Sequence, residues 1–322
     1  MHRTEMNDRH DEHVNQELLS PEVRPHKRKW RVRARTFIVP LLFMLLHFAV
    51  MNLTMFARIA IYFMTVDPAT AIMLQGKMTD PAFYVQFMIE INAQTYSSLF
   101  AMLILIPLYL LYAHWQKKRG IQVLDRARLS PAHIISALVI TVGAIGLTQL
   151  WMVFLSQLDP TSAIGTKFQE YTELMKYFEP SGGWVLVLEI MTTVILVPIG
   201  EELLFRGIIQ DELRRAFPPG FAIVATSLLF AIFHGNVIQA SYVLFVGLAL
   251  SIVYYLTGNI YVPIGMHIVF NLIGSGVFSR LLGLSQRGET VLMYVLFASI
   301  PLMVAGFVRL YRLHAKRLLK GG

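Results

Sequence analysis

Apolar residues along this chain are gathered into long stretches, and the polar and charged residues fall mostly between them. A stretch of about 20 apolar residues crosses a bilayer as a helix, whereas a half-buried strand alternates in polarity. The pattern therefore predicts an all-α, polytopic bundle of about eight transmembrane helices, or seven if the short fifth stretch does not span. The stretches cover residues 37–57, 96–112, 132–155, 184–200, 221–234, 238–256, 260–278 and 291–311.

The amino-acid composition indicates the same class of protein. Of the 322 residues, 55% are hydrophobic and 15% are charged, whereas about a quarter of the residues in a soluble domain are charged. The chain has no cysteine, which excludes structural disulfides, thiolate metal ligands and a cysteine nucleophile.

The net charge of +8 comes from basic clusters beside the apolar stretches, at residues 26–35, 113–130 and 312–320. Such clusters mark the cytoplasmic side of a membrane protein and contact anionic lipids. The connections 66–95 and 156–183 carry few basic residues and are predicted to lie outside. We therefore expect a multi-pass protein of the plasma membrane with both termini cytoplasmic, and membrane lipids rather than nucleic acid as the partner of its basic charge.

One part of the outer connection, residues 166–178, has the spacing of an amphipathic helix. Such a helix lies flat on the membrane surface, and an ordered loop is the alternative. The sequence leaves open whether the whole connection 156–183 is a lid or a partner surface.

Three short polar motifs interrupt the later apolar stretches. They read E-E-L-L-F-R at residues 201–206, F-A-I-F-H at 230–234 and H-I-V-F-N at 267–271. Ionisable groups within an apolar span are costly, so they usually face a protein interior or a water-filled cavity and mark a functional site. Acids, histidines, an arginine and an amide in one membrane-embedded place would suit hydrolysis.

The two adjacent glutamates of the first motif cannot have the same role, because neighbouring residues on a helix point about 100° apart. Glu202 and Arg206 are four residues apart with the acid first, which favours an ion pair. Glu201 then remains free to face another helix as a general base. The alternative is an ordinary helix N-terminus, in which Pro198 and Gly200 precede two acids.

In each of the other two motifs the last residue lies four positions, about one helical turn, after the first. His234 therefore shares a helix face with Phe230, and Asn271 shares one with His267. Imidazole and amide groups on inward faces can orient a water molecule, donate to an oxyanion or bind a metal ion. A lone histidine in an apolar helix is more often a packing residue, but two histidines with an acidic pair favour a site.

The depth of the motifs in the membrane is compatible with a single site. Glu201 and His234 each lie ~20 Å along a helix from a predicted cytoplasmic end, and His267 lies ~12 Å in from the same side. This arrangement requires the fourth stretch to bend around residues 198–200 and to continue as a helix through Gln210.

The ordered set E-E-L-L-F-R, F-x-x-x-H and H-x-x-x-N resembles the CPBP family of intramembrane proteases, which includes the CAAX prenyl proteases and bacteriocin self-immunity relatives. The resemblance covers roughly residues 184–278. It implies a membrane glutamic endopeptidase in which Glu201 activates the attacking water and His234 orients either that water or the glutamate. It further implies that His267 and Asn271 stabilise the oxyanion. The supporting residues would be Glu202, Arg206 and Phe230.

With that resemblance, the chain divides into four parts. They are a disordered basic cytoplasmic tail (1–35), N-terminal spans with outer loops (36–183), a catalytic core (184–278) and a last span with a basic C-terminus (279–322). We expect the core to carry the chemistry, because all three motifs lie within it.

The resemblance also bears on cofactors and partners. It favours metal-free glutamate chemistry, although two histidines and a glutamate leave zinc open. The expected substrate is a membrane-associated peptide or protein, which is prenylated for eukaryotic members of the family. The oligomeric state is not given by the sequence.

Two other functional classes fit the same residues. A non-catalytic scaffold, immunity or regulatory protein of the same fold would use the polar network for binding. A small transporter would use its buried acids and histidines to relay protons.

Overall fold

The computed structural model describes residues 32–176 and 182–320. Within these residues the chain forms helices and a single isolated bridge, between Arg126 and Asn259, and no β-strand. The predicted all-α class is therefore confirmed. The helices are α1 (Ala34–Thr65), α2 (Pro68–Lys77), α3 (Pro81–Glu90), α4 (Ala93–Lys118), α5 (Pro131–Ser156), α6 (Ala163–Lys176), α7 (Gly183–Ala216), α8 (Pro219–Phe233), α9 (Val237–Thr257), α10 (Tyr261–Gly274), α11 (Val277–Leu281), α12 (Gln286–Ala298) and α13 (Ile300–Lys320).

The apolar helices correspond to the predicted stretches. In the described part of the chain, α1, α4, α5, α7 and α9 are each long and apolar enough to cross a membrane, and α12 with α13 forms a sixth candidate bent by 43°. The remaining two stretches form α8 and α10, which are apolar but shorter. Helices of this length reach only about 22 Å, less than the ~30 Å of a hydrocarbon core. The chain is a multi-pass membrane protein.

The predicted disordered tail, residues 1–35, lies almost wholly outside the described residues. Its last two residues, Ala34 and Arg35, already belong to α1. The helix predicted at 166–178 is confirmed as α6 over the residues that are described, and residues 177–181 are not described. The hydroxyl of Tyr171 on α6 lies 2.9 Å from that of Tyr242 on α9, so a hydrogen bond joins this helix to the bundle.

Two short helices, α2 and α3, lie in the connection 66–95, where no helix was predicted. Each begins at an Asp-Pro pair: the side chain of Asp67 accepts backbone N–H groups at 3.0 and 3.1 Å, and that of Asp80 accepts one at 2.9 Å. An acidic N-cap followed by proline at the first helical position is a strong signal for a helix start. The signal was present in the sequence.

The helix that carries the first motif, α7, is continuous through Pro198 and reaches Ala216. Its predicted continuation past residue 200 is therefore confirmed. Two of its segments, Ile190–Leu196 and Leu203–Gln210, are π-helical, and they flank the α-helical turns that hold both glutamates. Such wide turns are rare and occur frequently at functional sites.

The helix α4 packs closely against α7 beside the glutamates. The sulfur of Met102 occupies the place that a Cβ atom of Gly200 would take, so α4 can approach only because residue 200 has no side chain. Met102 belongs to the largest buried apolar cluster, which also contains Tyr109 of α4 and Phe230 of α8. The N-terminal spans therefore form one wall around the motifs.

Candidate active site

Glu202 and Arg206 form the ion pair that their spacing predicted. The carboxylate Oε1 accepts from Arg206 Nη1 at 2.7 Å, and both side chains are completely buried. Arg206 Nη2 also donates to the carbonyl of Gly247 at 3.1 Å, and its guanidinium lies 4.5 Å from the ring centroid of Phe230. Because a buried charge is costly without partners, these contacts fix α7 against α8 and α9.

His267 connects the two glutamates. Its Nδ1 lies 2.8 Å from Glu202 Oε1, and its Nε2 lies 3.7 Å from Glu201 Oε2. A carboxylate in an ion pair only accepts hydrogen bonds, so Nδ1 carries the proton and Nε2 is the ring atom that faces Glu201. The Glu201 side chain is 15% exposed and that of Glu202 is 0% exposed. Glu201 is therefore the accessible acid of the pair.

His234 is oriented by its own helix. Its Nδ1 lies 2.8 Å from the carbonyl oxygen of Phe230, which can only accept, so Nδ1 donates and Nε2 is left for another partner. The Phe230 ring packs edge-on to both histidines, with centroids 4.9 Å from His234 and 5.8 Å from His267. The phenylalanine of the second motif thus sets the spacing between the two imidazoles.

Asn271 follows His267 by one turn of α10 and contacts α7. Its amide Nδ2 donates to the carbonyl of Thr193 at 2.8 Å, within the first π-helical segment. The side chain is partly exposed. Asn271 therefore ties α10 to α7 and leaves part of its amide accessible.

The structure brings all three motifs to one place. Phe230 contacts Arg206, His234 and His267, and His267 contacts both glutamates. The arrangement combines an accessible carboxylate with two imidazoles whose Nδ1 atoms are already engaged.

Two further polar residues near the site come from the N-terminal spans and were missed. His47 of α1 and Tyr109 of α4 are buried and lie 3.0 Å apart between Nδ1 and the hydroxyl oxygen. His47 also packs edge-on against Phe233, the residue directly before His234, with ring centroids 5.2 Å apart. The one sequence signal was an ionisable residue within an apolar stretch, but nothing in the sequence identified a partner for His47.

The possibility of a zinc site was left open by the sequence. Among the residues that the structure describes, no group of three or more His, Cys, Asp or Glu side chains is arranged to hold a metal ion.

The fold and the grouped motifs define a polytopic membrane protein with a largely buried cluster of acidic, basic and imidazole side chains. Comparison with known families matches residues 183–273 to the family described as type II CAAX prenyl endopeptidase Rce1-like. The match contains all three motifs, and it supports membership of the chain in the CPBP/CAAX protease family, as the motifs predicted. Comparisons with curated proteins and with solved structures found no match.

The family match supports a coarse function. It supports a CAAX-type intramembrane protease, a class whose substrates are peptides or proteins. The match ends at residue 273 and does not include α1, α4 or α5.

Proposed function

We propose that this protein hydrolyses a peptide bond of a membrane-associated peptide or protein with a water molecule that Glu201 activates. The proposal rests on the different burial and the different partners of the two adjacent glutamates. Glu202 is buried in the ion pair with Arg206, whereas Glu201 is partly open and has His267 Nε2 3.7 Å away. Only Glu201 is free to accept a proton from water.

In the first step, Glu201 takes a proton from water as the water oxygen attacks the scissile carbonyl carbon. A positioned general base of this kind contributes about 10²- to 10⁴-fold to the rate. His234 assists through Nε2, which accepts a hydrogen bond from the other hydrogen of the water while Nδ1 donates to the Phe230 carbonyl. The product of this step is a tetrahedral intermediate with a negative oxygen and a protonated Glu201.

The oxyanion is stabilised by donors from α10. His267 is a donor from Nε2 only when that nitrogen also carries a proton, because the proton on Nδ1 is donated to Glu202. Asn271 uses one amide N–H on Thr193 and keeps the other for the oxyanion. Preorganised donors of this kind are worth about 3 kcal/mol each in the transition state.

In the second step the intermediate collapses and the carbon–nitrogen bond breaks. The proton on Glu201 passes to the leaving nitrogen, which departs as an amine, and the other product is a carboxylic acid. Glu202, Arg206 and Phe230 support the step by holding His267 in place. This scheme uses no metal ion.

The proposed substrate follows from the family and from the depth of the site. The matched family is described as a prenyl endopeptidase family, so a lipid-modified peptide is one substrate class, and an unmodified membrane peptide is the other.

We propose that the protein lies in the plasma membrane with both termini cytoplasmic, because the basic residues are clustered at 113–130 and 312–320.

Proteolysis by the detergent-purified protein tests the proposal. Pooled membrane peptides and prenylated peptides are incubated with wild type, Glu201→Gln and His234→Ala, with and without a chelator. Glu173→Gln is the matched control, because this glutamate is exposed on α6 and its ion pair among the described residues is with Lys176. We expect cleavage by wild type and the control that survives the chelator and is lost in both site variants.

Other outcomes would change the assignment. Loss of cleavage with chelator alone would indicate a metal site that includes Glu201, His234 and His267. Absence of cleavage, together with a Glu201→Gln variant that still functions in cells, would contradict the enzyme proposal. A non-catalytic membrane protein of the same fold would then be the better description.

A further inference from the structure

A histidine and a tyrosine from two N-terminal spans form a buried pair beside the site. His47 of α1 is 3% exposed and Tyr109 of α4 is 1% exposed, and their hydrogen bond measures 3.0 Å. Neither residue lies in the segment that matches the family. An ionisable residue within an apolar span is costly and is usually retained for a function.

Packing brings this pair close to the first motif. Met102 of α4 fills the space above Gly200, directly before Glu201 in the chain. Tyr109 lies seven residues after Met102, which is about two helical turns and the same face of α4. Tyr109 and Met102 belong to the same buried cluster, which also contains Leu203 and Leu204 of α7.

The pair also approaches the second motif. The ring of His47 packs at 89° against Phe233, with centroids 5.2 Å apart, and Phe233 immediately precedes His234. The imidazole of His47 is therefore next to the helix that carries His234, and its hydrogen bond to Tyr109 joins it to the helix that packs beside Gly200 and Glu201.

We propose that His47 and Tyr109 are positioning residues that orient the carboxylate of Glu201 for attack by water. The inference rests on the proposed function, because it assigns the pair to the same reaction. In a poorly solvated interior, polar groups near a carboxylate act on it more strongly than in water. The hydrogen bond between the two side chains fixes both in one orientation. The N-terminal spans thus complete a site whose other residues all come from α7, α8 and α10.

Steady-state kinetics of four variants tests the inference. The variants are His47→Leu, His47→Gln, Tyr109→Phe and, as the matched control, Tyr112→Phe. Tyr112 is on the same helix, but its hydroxyl accepts from Arg35 and Gln116, away from Glu201. We expect kcat to fall about tenfold in His47→Leu and Tyr109→Phe, the size of one lost hydrogen bond, with KM nearly unchanged.

Two comparisons separate positioning from packing. His47→Gln retains a hydrogen-bonding group and should keep more of the wild-type kcat than the apolar His47→Leu. The double variant His47→Leu/Tyr109→Phe should be no worse than the poorer single variant, because residues that act as a unit are not additive. A packing role would make His47→Gln and His47→Leu equal and leave kcat unaffected by Tyr109→Phe.

The result that overturns the inference is wild-type kcat in Tyr109→Phe and His47→Leu while Glu201→Gln is inactive. That outcome would leave the proposed function intact. Activity in Glu201→Gln would instead contradict the proposed function itself. If His47→Leu fails to fold in detergent, Tyr109→Phe decides alone, because it removes only one hydroxyl group.

Discussion

The side-chain amide of Asn271 donates a hydrogen bond of 2.8 Å to the carbonyl of Thr193. The backbone of α7 does not satisfy that carbonyl in the usual way. The N–H of Val197 bonds to Thr192 in the π-helical pattern, and the same pattern would pair Thr193 with residue 198. Residue 198 is proline and has no N–H. Asn271 therefore supplies the donor that Pro198 lacks, and the third motif has a structural role beside its proposed catalytic one.

The two roles of Asn271 can be separated by restoring the missing donor. Asn271→Ala leaves the Thr193 carbonyl unpaired, which costs about 1–3 kcal/mol of stability, and removes an oxyanion donor, which costs about 10²-fold in kcat. In Pro198→Ala/Asn271→Ala the new backbone N–H should recover much of the stability and none of the activity. Thermal unfolding in detergent and peptide cleavage measure the two effects.

A matched control for that prediction is Asn52→Ala on α1. The amide of Asn52 also donates to a backbone carbonyl, that of Phe48, at 2.7 Å, but it is exposed and far along the chain from the motifs. The Asn52→Ala variant should therefore leave kcat unchanged. Recovery of kcat in the double variant would show that Asn271 acts only through the backbone of α7.

The buried ion pair gives a second prediction, on stability. Arg206→Met leaves the fully buried Glu202 carboxylate without its cation and should destabilise the protein by about 3–5 kcal/mol. Glu202→Gln/Arg206→Met removes both charges and should be clearly more stable than Arg206→Met alone. The exposed pair of Lys176 and Glu173 is the control, since Lys176→Met should cost less than about 1 kcal/mol. Equal stability of Arg206→Met and wild type would contradict the prediction.

The sequence predicted the features that depend on neighbouring residues. The apolar stretches are contiguous, so most of them correspond to one helix each, and the amphipathic spacing located α6. The exceptions are 260–278, which runs from α10 into α11, and 291–311, which is divided between α12 and α13. Likewise the four-residue spacing of Glu202 and Arg206 within one helix is a local signal for the ion pair.

Contacts between helices could not be predicted in the same way. The bond of His267 to Glu202 joins residues 65 apart in the chain, and that of His47 to Tyr109 joins residues 62 apart. Which faces meet depends on how the helices pack, and a single sequence does not encode that in a readable pattern. The π-helical segments of α7 were also missed. In the first of them, Asn271 donates to the carbonyl of Thr193, and a contact between helices of this kind is not visible in the sequence.

A tyrosine at the end of α9 gives a third prediction. The hydroxyl of Tyr254 donates to Asp211 Oδ2 at 3.0 Å and accepts the backbone N–H of Asp125 at 3.2 Å, which ties the connection between α4 and α5 to α7. Tyr254→Phe leaves the buried Asp211 oxygen without this donor and should cost about 1–3 kcal/mol, with kcat unchanged. The neighbouring Tyr255→Phe is the control. An unchanged unfolding temperature in Tyr254→Phe would contradict the prediction.

The close approach of α4 to α7 at Gly200 gives the last prediction. In Gly200→Ala the new methyl group meets the sulfur of Met102, so either the buried Met102 side chain must repack or α4 must shift away from Glu201, and overpacking of this kind costs about 1–3 kcal/mol. Adding Met102→Ala to Gly200→Ala should restore the space between the helices. This double variant should therefore recover most of the stability and of kcat. Gly265→Ala on α10 is the control, because nothing lies within 4 Å of its added Cβ and alanine favours the helix. If Gly200→Ala lowers kcat and the double variant recovers it, the distance between the N-terminal spans and Glu201 governs the reaction. A Gly200→Ala variant with wild-type kcat and stability would show that α4 is not held close to the site.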